Sequence, residues 1–187
     1  MLKIALEDKR KFNVFHLITG QDYPVFSEDY LSNLNQDAIY MDFMKIPQKN
    51  WVTWEDGYSF YKYKLPVRYF DKRKGIGRII NKICTIFQKG KRNCLPPYQV
   101  YGGSVYCTMP RYAVEYIFKS DITADLKKRL RNSLCGEETF FQTILGNSPY
   151  SNKIINNNLR YMDWNCKKPP KVLTEFDYKY VQRALCL

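Results

Sequence analysis

Residues 98–119 read YQVYGGSVYCTMPRYAVEYIFK, and this stretch sets a strand, a break and a helix in direct succession. The aromatic and β-branched residues on either side favour an extended chain. Gly102 and Gly103 interrupt it where the backbone must turn or admit something close. Pro110 suits the first turn of the helix expected over 110–119. A buried strand running straight into an amphipathic helix is the unit from which α/β proteins are built.

Working outward, the same alternation recurs. Residues 1–10 look like the end of a helix, and FNVFHLI (12–18) is expected as a mostly buried strand. The turn-prone TGQDYP follows, then a short helix near 27–34 and a second strand in AIYMDFM (38–44). VTWEDGYSFYKYKL (52–65) is aromatic and β-like. Downstream, helices are expected near 123–133 and 137–146, with a turn and short strand over 156–164. A final helix over 173–185 begins with a capping-type pair, Thr174 and Asp177. The expected class is α/β.

At 187 residues, with 45% hydrophobic and 16% aromatic side chains, the chain can bury a sizeable core. No apolar run approaches the ~20 residues of a membrane span, and MLKIALEDKRKF lacks the apolar run of a secretory signal. The expectation is a cytoplasmic protein, or a peripheral one at the inner membrane face. Six cysteines without a CxxC pair, and His16 as the only histidine, argue for reduced thiols and against a metal site.

The net charge of +12 is uneven. Residues 62–94 hold eleven Lys and Arg against the single acid Asp71, leaving only +2 for all other residues. Such a block implies an anionic partner or a solvated loop. Within it, Ile76, Ile79, Ile80, Ile83, Ile86 and Phe87 share one helical face. That basic amphipathic helix either docks on the core or lies on an anionic membrane.

Four short constellations can carry chemistry. TGQDYP places Gln21 and Asp22 in a polar turn after a buried strand, where α/β sheets bind ligands; Asp22 there binds a sugar hydroxyl or caps its turn. YGGS sets Gly103 and Ser104 at a small-residue gap. GEETFFQTIL (136–145) opens a helix with Glu137 and Glu138, ordinary first-turn acids unless one is a catalytic base. NLRYMDW puts Arg160 in a turn among hydrophobic residues.

In order and wording, FHLITGQDYPVFSEDYL, YGGSVYCTMPRYAVEYIFK, GEETFFQTILGNSPY and NNNLRYMDW with PPKVLTEFDYKYV resemble the core-2/I-branching β-1,6-N-acetylglucosaminyltransferase family. This is glycosyltransferase family 14, which also includes the peptide O-xylosyltransferases; bacterial members show much the same string of motifs. The resemblance implies a GT-A-like fold and an inverting, metal-independent glycosyltransferase using a UDP-sugar, of the N-acetylglucosamine or xylose class. It implies no cofactor. Its base is the Glu of a triplet at a helix start, matched here by Glu138, and Arg160 matches a cation that neutralises the leaving diphosphate. Gln21, Asp22, Gly103, Ser104 and Glu137 are the further substrate-binding candidates.

Tyr106 stands where many relatives carry Trp, so acceptor contacts are expected to differ. The family carries further segments before the first motif and after the last, so the fold is expected to be incomplete, lacking much of its nucleotide-binding part. The expected organisation is one glycosyltransferase-like domain over 1–187 with a basic insertion at about 62–94. Expected partners are a nucleotide-sugar donor, a glycan acceptor in cell-surface polysaccharide synthesis, and an anionic membrane through 62–94. The alternatives are an inactive relative, or a non-catalytic basic module on membrane or nucleic acid, although no recognised nucleic-acid motif is present.

Overall fold

The computed structural model describes residues 1–25, 28–49, 51–64, 75–88, 95–133, 135–166 and 170–185. Helix α1 (Leu2–Glu7) is followed by strand β1 (Val14–His16) and helix α2 (Glu28–Asn33). Strands β2 (Ile39–Met41) and β3 (Met44–Lys45) precede a 3-10 segment at Val52–Gly57, helix α3 (Ser59–Lys62) and helix α4 (Gly75–Gln88). Strands β4 (Tyr101–Gly102) and β5 (Cys107–Pro110) lead into helices α5 (Arg111–Lys119), α6 (Asp121–Leu130) and α7 (Glu137–Gly146). Strand β6 (Ile154–Asn156) and helix α8 (Tyr178–Leu185) complete the order.

Four strands form a sheet in the order β1-β5-β2-β6. Strand β5 runs antiparallel to both β1 and β2, with Met109 opposite Phe15 and Thr108 opposite Tyr40. Strand β6 is parallel to β2, placing Ile155 beside Tyr40. Strands β3 and β4 pair separately and antiparallel. The mixed α/β class expected from the alternation is the architecture observed.

All three residues of β2 and all four of β5 are buried, which suits the apolar wording of β2; in β5 the polar Thr108 is paired with His16 Nδ1. Helix α5 adds Ala113, Val114 and Ile117 to the core, and α7 adds Ile144 and Leu145. Helix α7 lies against β4, where Thr143 Oγ1 accepts from Tyr101 N–H at 3.1 Å and donates to Tyr101 C=O at 2.9 Å. Capping of the last helical segment is as expected, with Thr174 and Asp177 forming a reciprocal box.

Four expectations are corrected. The strand over 38–44 is split at Asp42 and Phe43, because Phe43 N–H turns to Asn156 Oδ1 (2.7 Å) and leaves the ladder. The β-like stretch at 52–65 is helical over 52–57 and 59–62. Glu55, Asp56 and Gly57 there all have positive φ, a turn that lets Phe60 and Tyr61 reach the core from a helix. The strand near 156–164 precedes its turn, ending at Asn156, because Asn157 and Asn158 accept the N–H groups of Leu159 and Arg160 as side-chain turns. The mostly buried strand expected over 12–18 is only Val14–His16, with Phe15 buried but Phe12 and Ile18 exposed on either side. Helix α4 forms, and of the two placements left open for its apolar face the one on the core is not seen, since Ile76, Ile79, Ile83, Ile86 and Phe87 are exposed. The rest of the basic block, 65–74 and 89–94, lies outside the described residues.

Candidate functional site

Helix α7 begins with Gly136 at its N-cap position and carries Glu137 and Glu138 in its first turn. The cap packs closely on the preceding helix, since a Cβ at Gly136 would lie 3.0 Å from Leu130 Cβ at the end of α6. Glu137 is exposed, while Glu138 is half-buried. Burial, reinforced by the neighbouring Glu137 charge, pushes the Glu138 carboxyl up to about 6. The dipole of the helix start acts in the opposite sense, and desolvation outweighs it. A carboxylate that titrates near 6 at a helix start is suited to accept a proton near neutral pH.

The backbone of Glu138 is tied to the small-residue gap. Gly103 N–H donates to Glu138 C=O at 2.8 Å. A Cβ at Gly103 would fall 2.1 Å from the Asp42 carbonyl oxygen, so only glycine lets the three segments meet. Ser104 C=O accepts from Gln142 Nε2 of α7 at 2.7 Å, so helix and gap are joined twice.

Asp42 links this gap to the other predicted turn. Its carboxylate accepts from the Ser104 backbone N–H and from Asn158 Nδ2, the latter at 2.8 Å. Burial pushes its carboxyl above the usual carboxylate range, making it a weaker acid despite those two donors. Asn158 Oδ1 in turn accepts from Arg160 N–H at 2.8 Å.

The Arg160 guanidinium donates through Nη2 to Leu17 C=O at 2.9 Å and through Nη1 to Leu159 C=O at 3.2 Å. Its buried Nε makes no hydrogen bond and lies 3.8 Å from Asp22 Oδ1. Asp22 also caps its own turn, its Oδ2 accepting from Thr19 N–H, so both sequence readings of Asp22 remain compatible with its position. The Tyr106 ring sits 5.7 Å from the guanidinium carbon. His16 Nδ1 is 2.8 Å from Thr108 Oγ1; burial and the nearby Arg160 charge lower its basicity.

Two groups of candidates therefore emerge. Glu137, Glu138, Gly103 and Ser104 gather at the start of α7. Arg160 and Asp22 pair beside the end of β1, with Gln21 exposed on the same turn. Asp42 and Asn158 bridge the two groups, and neither stood out in the sequence. A lone carboxylate inside the apolar run 38–44 was the available signal for Asp42. Gln142 was hidden differently, since a polar residue at 0% exposure in the middle of a helix has no local signature.

Among the described residues, no three His, Cys, Asp or Glu side chains converge on a point that could hold a metal ion. The Cys107 thiol is buried, which pushes it up to about 12 and leaves it inert.

The family model described as "Core-2/I-Branching enzyme" matches residues 1–183. Xylosyltransferase 1 of Mus musculus is 33% identical over 159 residues, 83% of this chain and 15% of that protein. Xylosyltransferase 1 of Homo sapiens is 32% identical over the same share of each. Xylosyltransferase 2 of Canis lupus familiaris is 32% identical over 99 residues, 51% of this chain and 11% of that protein. The chain thus spans less than a fifth of the length of these relatives.

Proposed function

We propose, on the premise that this chain belongs to the Core-2/I-branching enzyme family, that it carries the catalytic centre of an inverting glycosyltransferase. In this reading an acceptor hydroxyl docks at the start of α7. Glu138 takes its proton as the acceptor oxygen attacks the anomeric carbon of a UDP-sugar, and the bond from that carbon to the diphosphate breaks. One base suffices for a single displacement with inversion. The observation that carries the reading is the half-buried Glu138 carboxyl, pushed up to about 6 and held by its backbone to Gly103.

The charge growing on the leaving diphosphate is assigned to Arg160, whose guanidinium suits two phosphate oxygens at once. Its Nε, buried and without a hydrogen-bond acceptor, supports this role; Asp22 is the anion that an arriving diphosphate would replace as the nearest counter-charge. The reading requires no metal ion. Asp22, Gln21, Ser104 and Glu137 are assigned to substrate contacts, and the donor to the UDP-xylose or UDP-N-acetylglucosamine class. The names of the xylosyltransferase relatives support the first of these. The acceptor is assigned to a glycan.

The test is sugar transfer by Glu138→Gln protein. A loss of kcat by about 10²-fold or more is expected, with donor affinity by titration calorimetry unchanged. In the unsubstituted protein kcat/KM should fall as pH drops through about 6, since the base works only when deprotonated. Full activity of the glutamine variant would assign the base elsewhere. Failure to bind any sugar nucleotide would instead mark an inactive relative.

A further inference from the structure

Helix α4 is mounted with its apolar side away from the protein. Gly77 is buried, and Asn81, Cys84, Thr85 and Gln88 are half-buried on the inward side. Gln88 fixes that side: its Oε1 accepts from Lys64 N–H at 2.9 Å and its Nε2 donates to Lys64 C=O at 3.0 Å. Ile76, Ile79, Ile83 and Ile86 follow the helical repeat on the outward side, each from 48% to 67% exposed, and Phe87 beside them is 83% exposed. A helix packed on its own core would have the opposite orientation.

Charge decides what fits this face. Arg78 and Lys82, four residues apart and both exposed, run along one edge of the isoleucine stripe, and 75–88 contains no acid. The surrounding sequence, 62–94, carries +10. A second copy of the chain would bring like charge against like. A nucleic acid would be met by isoleucines that offer neither stacking nor hydrogen bonds. An anionic lipid surface satisfies both features, with phosphate groups at the cationic edge and acyl chains under the isoleucines. At 14 residues, α4 is too short to span, and no described helix is long and apolar enough to cross a membrane.

We propose that α4 lies in the plane of an anionic membrane surface and anchors the protein there through Ile76, Ile79, Ile83, Ile86 and Phe87, with Arg78 and Lys82 at the headgroups. The anchor is independent of the sugar chemistry assigned to α7, so either can fail alone.

Co-sedimentation of the full chain with vesicles tests it. Binding is expected to phosphatidylcholine vesicles containing about 30 mol% phosphatidylglycerol and to weaken sharply from ~0.05 M to ~0.5 M salt. Phosphatidylcholine vesicles alone should bind weakly. Ile79→Glu with Ile83→Glu should lower the partition coefficient by about a hundredfold. Lys82→Glu should lower it several-fold, and both variants should keep the circular dichroism spectrum of the parent. Absence of binding to the anionic vesicles, equal binding to both compositions, or binding untouched by the double substitution overturns the proposal. So does a concentration-dependent dimer that the double substitution dissolves, or salt-sensitive retention of an oligonucleotide without vesicle binding.

Discussion

At Glu138 two general effects oppose each other, and their balance sets both chemistry and stability. The helix start favours the carboxylate, whereas burial beside Glu137 favours the acid form, which prevails. Folding therefore holds the proton more tightly than the unfolded chain does. The resulting stabilisation is full below the usual 4.5 and is lost as pH rises through about 6. Glu138→Gln removes this cost of a buried charge. After allowance for solvent at a half-buried site, the variant should be more stable by roughly 1 kcal/mol at pH 8 and by little at pH 4. Thermal melts at the two pH values check this, and a variant destabilised equally at both would contradict it. Gly103 makes the opposite prediction: Gly103→Ala sets a methyl group 2.1 Å from the Asp42 carbonyl, which the backbone must move to relieve. A loss of about 3 kcal/mol or more in urea denaturation is expected, together with loss of activity. Both residues were legible in the sequence, one as a first-turn acid and one as a break in a strand. Asp42 was not, because its partners Ser104 and Asn158 are distant in sequence and only the fold brings them together.

Helix α7 was located to the residue in the sequence, yet its character was only half visible. Phe140, Phe141, Ile144 and Leu145 recur at helical spacing as a core-facing side, and Ile144 and Leu145 are fully buried, but Thr139, Gln142 and Thr143 are equally buried. They are tolerated because each has a partner: Tyr61 OH donates to Thr139 Oγ1 at 3.1 Å, Gln142 holds Ser104, and Thr143 bridges both backbone groups of Tyr101. Thr143→Val keeps the shape and strands a backbone donor and acceptor at the edge of β4. About 2 kcal/mol should be lost in chemical denaturation, with faster amide exchange at Tyr101. Unchanged exchange there would show that the bridge does not secure β4. The segment at 52–62 fails as a sequence reading for a related reason. Aromatic residues favour strands on average, but three consecutive positive φ values at Glu55, Asp56 and Gly57 break any extended run before the chain enters α3.

Across the whole molecule, the α/β class followed from alternation alone, while the sheet order β1-β5-β2-β6 did not. Its strands are only three or four residues long, too short for their pairing to be written in periodicity. The face of α4 shows the same limit, since a hydrophobic period reveals that one side is apolar without revealing which way that side points. Charge segregation was fully legible, because it is a property of sequence windows.

The pairing of β2 with β6 has a further consequence, for the order of events during folding. Asp42 and Asn158 are separated by 116 positions, and β6 must find β2 across nearly the same span. Most helices can form and collapse before that long loop closes, because local contacts form soonest. Arg160 follows β6 by only a few residues, so the arginine reaches Asp22 and the end of β1 only once this closure is made. On the ribosome, Glu138 would emerge with its helix, while Arg160 could take its place beside Asp22 only after β6 had been synthesised.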